Sequence, residues 1–250
     1  MSRPLTVALP VPNEPAPADG VLRYLGFDSC VRLPLRVDAA RLGAELARLP
    51  AAAWGRIDRD PVVHAAVESF FAVGYPRGPR PLPPDDRPVL LELPYLREIV
   101  HEIVPAAPTR ALVARLEPHS LIPIHTDTPR FFRGTVRLSI QVDADGAQRL
   151  YCNGLRYDLA AGEVWAIDNL RPHGVDNVGG RMRTNVIVDY RPSNALVALI
   201  ADGDHGLGIR DDTGRRAFES SSAAHYRTRR WQSLRYELGK RWRRGWRGGA

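Results

Sequence analysis

His125 and Asp127 stand two apart in "LIPIHTD", at the end of an apolar run. Side chains two apart on an extended segment share a face, so these two can converge while Thr126 points away. His173 follows after "EVWAIDNLRP", and Arg183 lies ten residues further on, at the head of "RTNVIVDY". Two neutral imidazoles and one carboxylate form the facial ligand set of a non-haem Fe(II) centre with open coordination positions. On that reading 2-oxoglutarate takes two open positions through its keto-acid end and O2 the third. The planar, permanently charged fork of Arg183 suits the distal carboxylate of that cosubstrate. Taken by itself, the His125/Asp127 pair reads equally well as the polar end of a strand bonded to backbone. His173 and Arg183 shift the balance to a metal site.

These residues need a frame that brings distant segments together. From Ala111 the apolar period becomes two, and eight short strands are expected in "ALVARLE", "SLIPI", "VRLSIQV", "RLYC", "LRYDL", "EVWAID", "HGVDN" and "RTNVIVDY". The Asn153-Gly154 pair is a two-residue hairpin signal. Closely spaced strands of this kind imply a mainly β fold, a double-stranded β-helix or jelly roll of cupin type with flanking helices. The strands carrying His125 and His173 are expected to face each other across the barrel mouth.

Around this core the chain divides into a Pro-rich flexible leader (1–20), strand and helix elements packing on the core (21–110), the jelly roll (111–192), a helical and loop extension (193–225) and a basic tail (226–250). Within the second segment "VLRYLGFDSCVRLPLRV" reads as extended, and "DAARLGAELARL" as a helix capped by Asp38. Residues 51–94 read as irregular, and "LPYLREIVHEIVP" as an amphipathic helix. In the extension, "SNALVALIADGDHGLG" reads as a helix and "IRDDTGRRAFESSSAAHYR" as a mobile connection.

With 44% apolar and 25% charged residues in 250, the chain can bury a substantial core, and it lacks the run of about 18 apolar residues that a membrane-spanning helix needs. Cys30 and Cys152 are its only cysteines, with no C-x-x-C pair; two reduced thiols and a cytoplasmic location follow. The formal charge of +7 belongs to the tail, where Tyr226–Ala250 holds nine Lys/Arg against Glu237 alone. No nucleic-acid partner is expected, because the remainder is near neutral. Trp231, Leu234, Leu238, Trp242 and Trp246 fall on one arc of a helix. That helix can meet an acidic partner protein or an anionic membrane surface, or pack its Trp face on the barrel.

Taken together, "IPIHTD", "VRLSIQV", "GEVWAIDNLRPHGVDN" and "RMRTNVIVDY" resemble the aspartyl/asparaginyl β-hydroxylase family of Fe(II)/2-oxoglutarate-dependent dioxygenases, most of all the bacterial proline cis-hydroxylases. The resemblance runs from about Leu93 to Tyr190. It implies iron ligands at His125, Asp127 and His173, 2-oxoglutarate binding at Arg183, and a second cosubstrate contact at Arg137. Relatives often carry a histidine two residues after that arginine, where this chain has Ser139. The expected activity is hydroxylation of an unactivated C–H of an amino acid, a derivative or a peptide residue, with release of succinate and CO2. A carrier-protein-bound or lipid-linked substrate and a non-catalytic jelly-roll module binding a metal or small acid are the alternatives. Arg115, Arg130, Phe131 and Phe132 are candidate substrate contacts.

Overall fold

A computed structural model describes residues 20–55, 60–74, 85–128, 132–143, 148–229 and 234. All eight expected strands form: β3 (Pro108–Leu116), β4 (Ser120–His125), β5 (Val136–Gln141), β6 (Gln148–Cys152), β7 (Leu155–Asp158), β8 (Glu163–Ile167), β9 (His173–Asn177) and β10 (Arg183–Tyr190). Two earlier strands, β1 (Cys30–Arg36) and β2 (Val67–Val73), extend one sheet at its edges. The larger sheet has the order β1-β8-β5-β10-β3-β2 and the smaller β4-β9-β6-β7. Apart from the β6–β7 hairpin, the chain changes sheet at each step from β3 to β10, and this alternation is the jelly-roll winding.

Strand alternation gives the larger sheet two unlike faces. Its outer face carries Val31, Leu33, Val113, Leu138, Ile140, Val186 and Val188, packed with Leu42 of helix α2 (Ala39–Ala47) and Leu96 of α3 (Pro94–Glu98). This burial anchors the sheet. Asp38 caps α2 as expected, accepting from Arg41 N–H at 2.9 Å. The buried carboxylate of Glu45 accepts from the Tyr95 and Leu96 amides at the start of α3, at 2.9 and 3.1 Å. The inner face is polar instead: Arg137, Ser139, Gln141, Arg183, Asn185 and Asp189 are all buried there. Leu116, Leu150, Tyr157, Trp165 and Val175 supply a smaller apolar cluster between the sheets.

Several sequence expectations are corrected. Residues 67–73 form strand β2, paired along β3, although the segment 51–94 reads as irregular. "VESFFAV" is covered on both faces, so it shows no alternation to read. Before β1, Val21–Tyr24 forms the short helix α1, where an extended segment is expected. "LPYLREIVHEI" begins as α3 and continues as a π-helical turn, Ile99–Ile103. After α4 (Asn194–Ala201), residues 212–228 form the 17-residue helix α5, where a mobile connection is expected. Residues 75–84 of the Pro-rich loop and all of the tail beyond 229 except Leu234 lie outside the described residues. Among the described residues no helix is long and apolar enough to cross a membrane.

Candidate active site

β4 and β9 are neighbours in the smaller sheet, so the two histidines meet by direct pairing and not, as expected, across the mouth. His125, the last residue of β4, is the register partner of His173, the first of β9, and their ring centroids lie 4.3 Å apart. A bulge between Ile122 and His125 sets this pairing. Asp127 follows two residues past the strand end. One ligand atom from each of His125, Asp127 and His173 lies within 4.8 Å of the other two, a group that can hold a metal ion.

Both imidazoles are oriented by backbone. His125 Nδ1 bonds Pro123 O and His173 Nδ1 bonds Arg171 O, each at 2.9 Å. A carbonyl only accepts, so each Nδ1 carries a hydrogen, and in the neutral ring Nε2 is then the nitrogen that presents a lone pair. His173 is buried; burial, reinforced by neighbouring His125, pushes its pKa down to about 3 and keeps the ring neutral. A neutral imidazole with its second nitrogen held by an oxygen acceptor is the form that ligates metal.

Asp127 is held by its other oxygen. Its Oδ2 accepts from Arg137 Nη1 and, at 2.9 Å, from Asn169 Nδ2, while Oδ1 lies 3.8 Å from His125 Nε2. Burial alone would raise this carboxyl, but Arg137, the two histidines and Asn169 outweigh it and hold the group ionised far below the usual carboxylate range.

The inner face of the larger sheet continues the site in rows set by strand register. The first row, across β5, β10 and β3, is Arg137, Asp189 and Arg110. Next come Ser139, Ile187 and Leu112, then Gln141, Asn185 and Ala114, then Arg183 beside Leu116. Asp189 to Arg183 is six residues, roughly 20 Å of strand at about 3.3 Å per residue. In the first row Asp189 accepts from Arg137 Nε at 2.9 Å and from Arg110 Nε at 2.8 Å. Deeper, Ser139 and Asn185 bond each other at 3.0 and 3.1 Å, so the serine has a partner on the neighbouring strand.

Arg183 is 5% exposed, and no carboxylate pairs with it among the described residues. Its Nε donates to Gln141 Oε1 at 3.2 Å and Gln148 Oε1 at 3.1 Å. Burial without a counter-charge pulls its pKa down to about 10. At this end Asn177 Nδ2 donates to the carbonyls of Leu116, Glu117 and Arg181 and ties the β9–β10 turn to β3.

Arg137, expected at the cosubstrate, has its fork engaged by Asp127 and Asp189. Phe132 is brought to the site, lying 4.8 Å below the Arg110 guanidinium and 4.7 Å below that of Arg137. Arg130 and Phe131 lie outside the described residues. Arg115 is not brought there: odd-numbered residues of β3 face outward, and it pairs with Glu68 at 2.6 Å over the Trp54 ring. Sequence reading missed Arg110, Asn169 and Asp189, whose places depend on register between separate strands. It also passed over His64, whose ring stands edge-on to His125 at 6.0 Å.

Comparison with known proteins agrees with the region of the site. The family profile described as Aspartyl/Asparaginyl beta-hydroxylase matches residues 87–192. A 2OG-Fe(II) oxygenase family oxidoreductase from Burkholderia pseudomallei is 19% identical, with a TM-score of 0.48 over 70% of this chain and 88% of that one. A Trichoplax adhaerens prolyl hydroxylase solved with a hypoxia inducible factor peptide is 14% identical, with a TM-score of 0.47 over 72% and 91%. A Pseudomonas putida prolyl-4-hydroxylase is 16% identical, with a TM-score of 0.42 over 69% and 97%. No curated protein matches the sequence. His125, Asp127, His173 and Arg183 all fall within the matched span, so the part of the chain similar to the aspartyl/asparaginyl β-hydroxylase family is the part that carries the candidate site.

Proposed function

We propose that this chain hydroxylates an unactivated C–H bond of an amino acid, an amino-acid derivative or a peptide residue. The overall reaction consumes the substrate, O2 and 2-oxoglutarate and yields the alcohol, succinate and CO2, with one oxygen atom going to each of the first two products. His125, Asp127 and His173 hold Fe(II), which supplies O2 activation when bound. The residues fit that ion: two imidazoles held through Nδ1 present Nε2, and Asp127 keeps Oδ1 for the metal while Arg137 and Asn169 occupy Oδ2.

Arg183 binds the distal carboxylate of 2-oxoglutarate. The observation that carries this reading is its buried guanidinium, held by two glutamine oxygens and lacking a carboxylate among the described residues. A permanently charged group in such a place is costly unless a ligand completes it. Ser139 and Asn185, in the rows between, offer polar atoms along the way. A screen of amino acids and peptides for a mass gain of one oxygen, with succinate measured in parallel, tests the assignment. Product formation that survives in both Asp127→Ala and His173→Ala overturns it.

A further inference from the structure

Helix α5 ends beside the candidate iron ligands. In its last turn His225 Nε2 donates to Val62 O at 2.6 Å and Tyr226 Oη–H to Ile124 O at 3.0 Å, and Ile124 is the residue before His125. Arg229 follows Tyr226 by three residues, about 4.5 Å along a helix axis, and its N–H still bonds His225 O at 3.2 Å. The basic tail therefore leaves the body next to the strand end that carries His125. Its charge is unlike that of the body: Tyr226–Ala250 holds nine Lys/Arg against Glu237 alone, which exceeds the +7 of the whole chain.

On a helical wheel, at about 100° per residue, Trp231, Leu234, Leu238, Trp242 and Trp246 share an arc, and the basic residues other than Arg227 and Arg235 lie on the other side. Leu234, the member of that arc among the described residues, is helical and 44% exposed. The arc is thus not closed against the sheets at that point, and covering it falls to a partner outside the chain. Charge complementarity requires the partner to be anionic. Three of the five apolar positions are Trp, whose amphipathic ring settles at the headgroup level of a bilayer. The basic residues spread over nearly half the circumference, which suits a continuous anionic surface better than a fixed set of acidic side chains. Arg235, inside the arc, can lift its charge to the headgroups along its own stem.

We propose that residues 230–250 are a peripheral membrane anchor, a basic amphipathic segment whose Trp-bearing arc enters the headgroup region of an anionic bilayer while its arginines meet the lipid phosphates. Anchoring there brings the His125 end of the site to the membrane surface, because α5 ties the start of the tail to Ile124. The inference is independent of the iron and 2-oxoglutarate reading, and its test needs neither.

The experiment sediments the full chain with vesicles of phosphatidylcholine alone or with about 30% phosphatidylglycerol, at about 0.1 M salt. Binding is expected on the anionic vesicles, at least roughly tenfold weaker on the neutral ones, and falling steeply as salt rises. Each basic residue near an anionic leaflet is worth roughly fivefold in affinity, so Arg241→Gln, Arg243→Gln, Arg244→Gln and Arg247→Gln together should weaken binding more than about hundredfold. Trp242→Ser with Trp246→Ser should weaken it about tenfold or more and leave the salt dependence in place. Tryptophan emission should shift to the blue on anionic vesicles, and by less in the two-Trp variant. Both variants should keep the wild-type circular dichroism spectrum and melting temperature. Equal binding to neutral vesicles, no sedimentation with either kind, or anionic binding that both variants retain overturns the proposal. So does capture of the chain by soluble poly-L-glutamate without sedimentation by anionic vesicles, which would make the tail a docking segment for an acidic protein.

Discussion

Asn169 holds Asp127 from two sides: its side-chain amide donates to Asp127 Oδ2 at 2.9 Å, and its carbonyl accepts from Asp127 N–H at 3.1 Å. The second bond fixes the backbone just past the end of β4, and the first fixes the carboxylate rotation. With Arg137 on the same oxygen, Oδ1 is the atom left for a metal. Removing such an orienting partner commonly costs ten- to a hundredfold in metal affinity. Asn169→Ala is therefore expected to lower Fe(II) affinity by about that factor, measured anaerobically by metal titration, with a far-ultraviolet circular dichroism spectrum like that of the wild type. An unchanged affinity would show that the carboxylate is positioned without it.

Arg183 supports a prediction with two opposite signs. A buried guanidinium without a carboxylate destabilises the protein alone, and the same charge attracts a cosubstrate. Arg183→Met should weaken 2-oxoglutarate binding by about 2 kcal/mol or more, at least roughly 30-fold, while leaving Fe(II) affinity near normal. In the absence of 2-oxoglutarate the same variant should melt at or above the wild-type temperature. A variant that melts well below the wild type while keeping its 2-oxoglutarate affinity would assign Arg183 a purely structural role.

The parts of this site that sequence alone reveals share one property: they depend on local chain geometry. A two-residue spacing keeps Asp127 close to His125 at the end of β4, and alternation in "VRLSIQV" and "RTNVIVDY" separates an apolar outer face from a polar inner one. Arg110, Asn169 and Asp189 could not be found this way. Each is an ordinary polar residue in sequence, and only the register of β3, β10 and β5 makes a row of three. Two of the missed elements follow the same logic. β2 is covered on both faces and has no period to read, while α5 buries only Phe218 and Ser222 on a largely polar helix with Gly214 in its first turn.

Helix α5 matters to the site because it completes the backbone of an edge strand. Ile124, one residue before His125, has its N–H accepted by Ser222 Oγ at 3.2 Å and its carbonyl bonded by Tyr226 Oη–H at 3.0 Å. The helix comes close enough that a Cβ at Gly174 would lie 2.8 Å from both Ile122 O and Phe218 Cζ. Tyr226→Phe combined with Ser222→Ala should destabilise the fold by about 1–3 kcal/mol, since each removes a net hydrogen bond of roughly 0.5–1.5 kcal/mol. It should also weaken Fe(II) binding several-fold by freeing the strand end that carries His125. Loss of stability with unaltered metal affinity would separate the helix from the site.

Glu163 gives the fold a pH dependence remote from the metal ligands. Burial alone would raise its carboxyl, but the Ala160 N–H, the Trp165 Nε1–H and Arg32 outweigh burial and hold it below the ordinary glutamate value. Arg36 adds a second guanidinium at 3.1 Å. Because the folded state depresses this pKa, the stabilisation is complete above the unfolded value of about 4.3 and is lost as pH falls through the folded one. Glu163→Gln keeps the shape but removes the charge, and at pH 7 it should cost about 1–2 kcal/mol, lowering Tm by roughly 2–8 °C. The gap between wild type and variant, followed by urea unfolding, should narrow steadily below about pH 5, because protonated Glu163 becomes electrically equivalent to glutamine. A gap that stays constant from pH 7 to pH 3.5 would mean that packing of the side chain, and not its charge, ties β8 to β1.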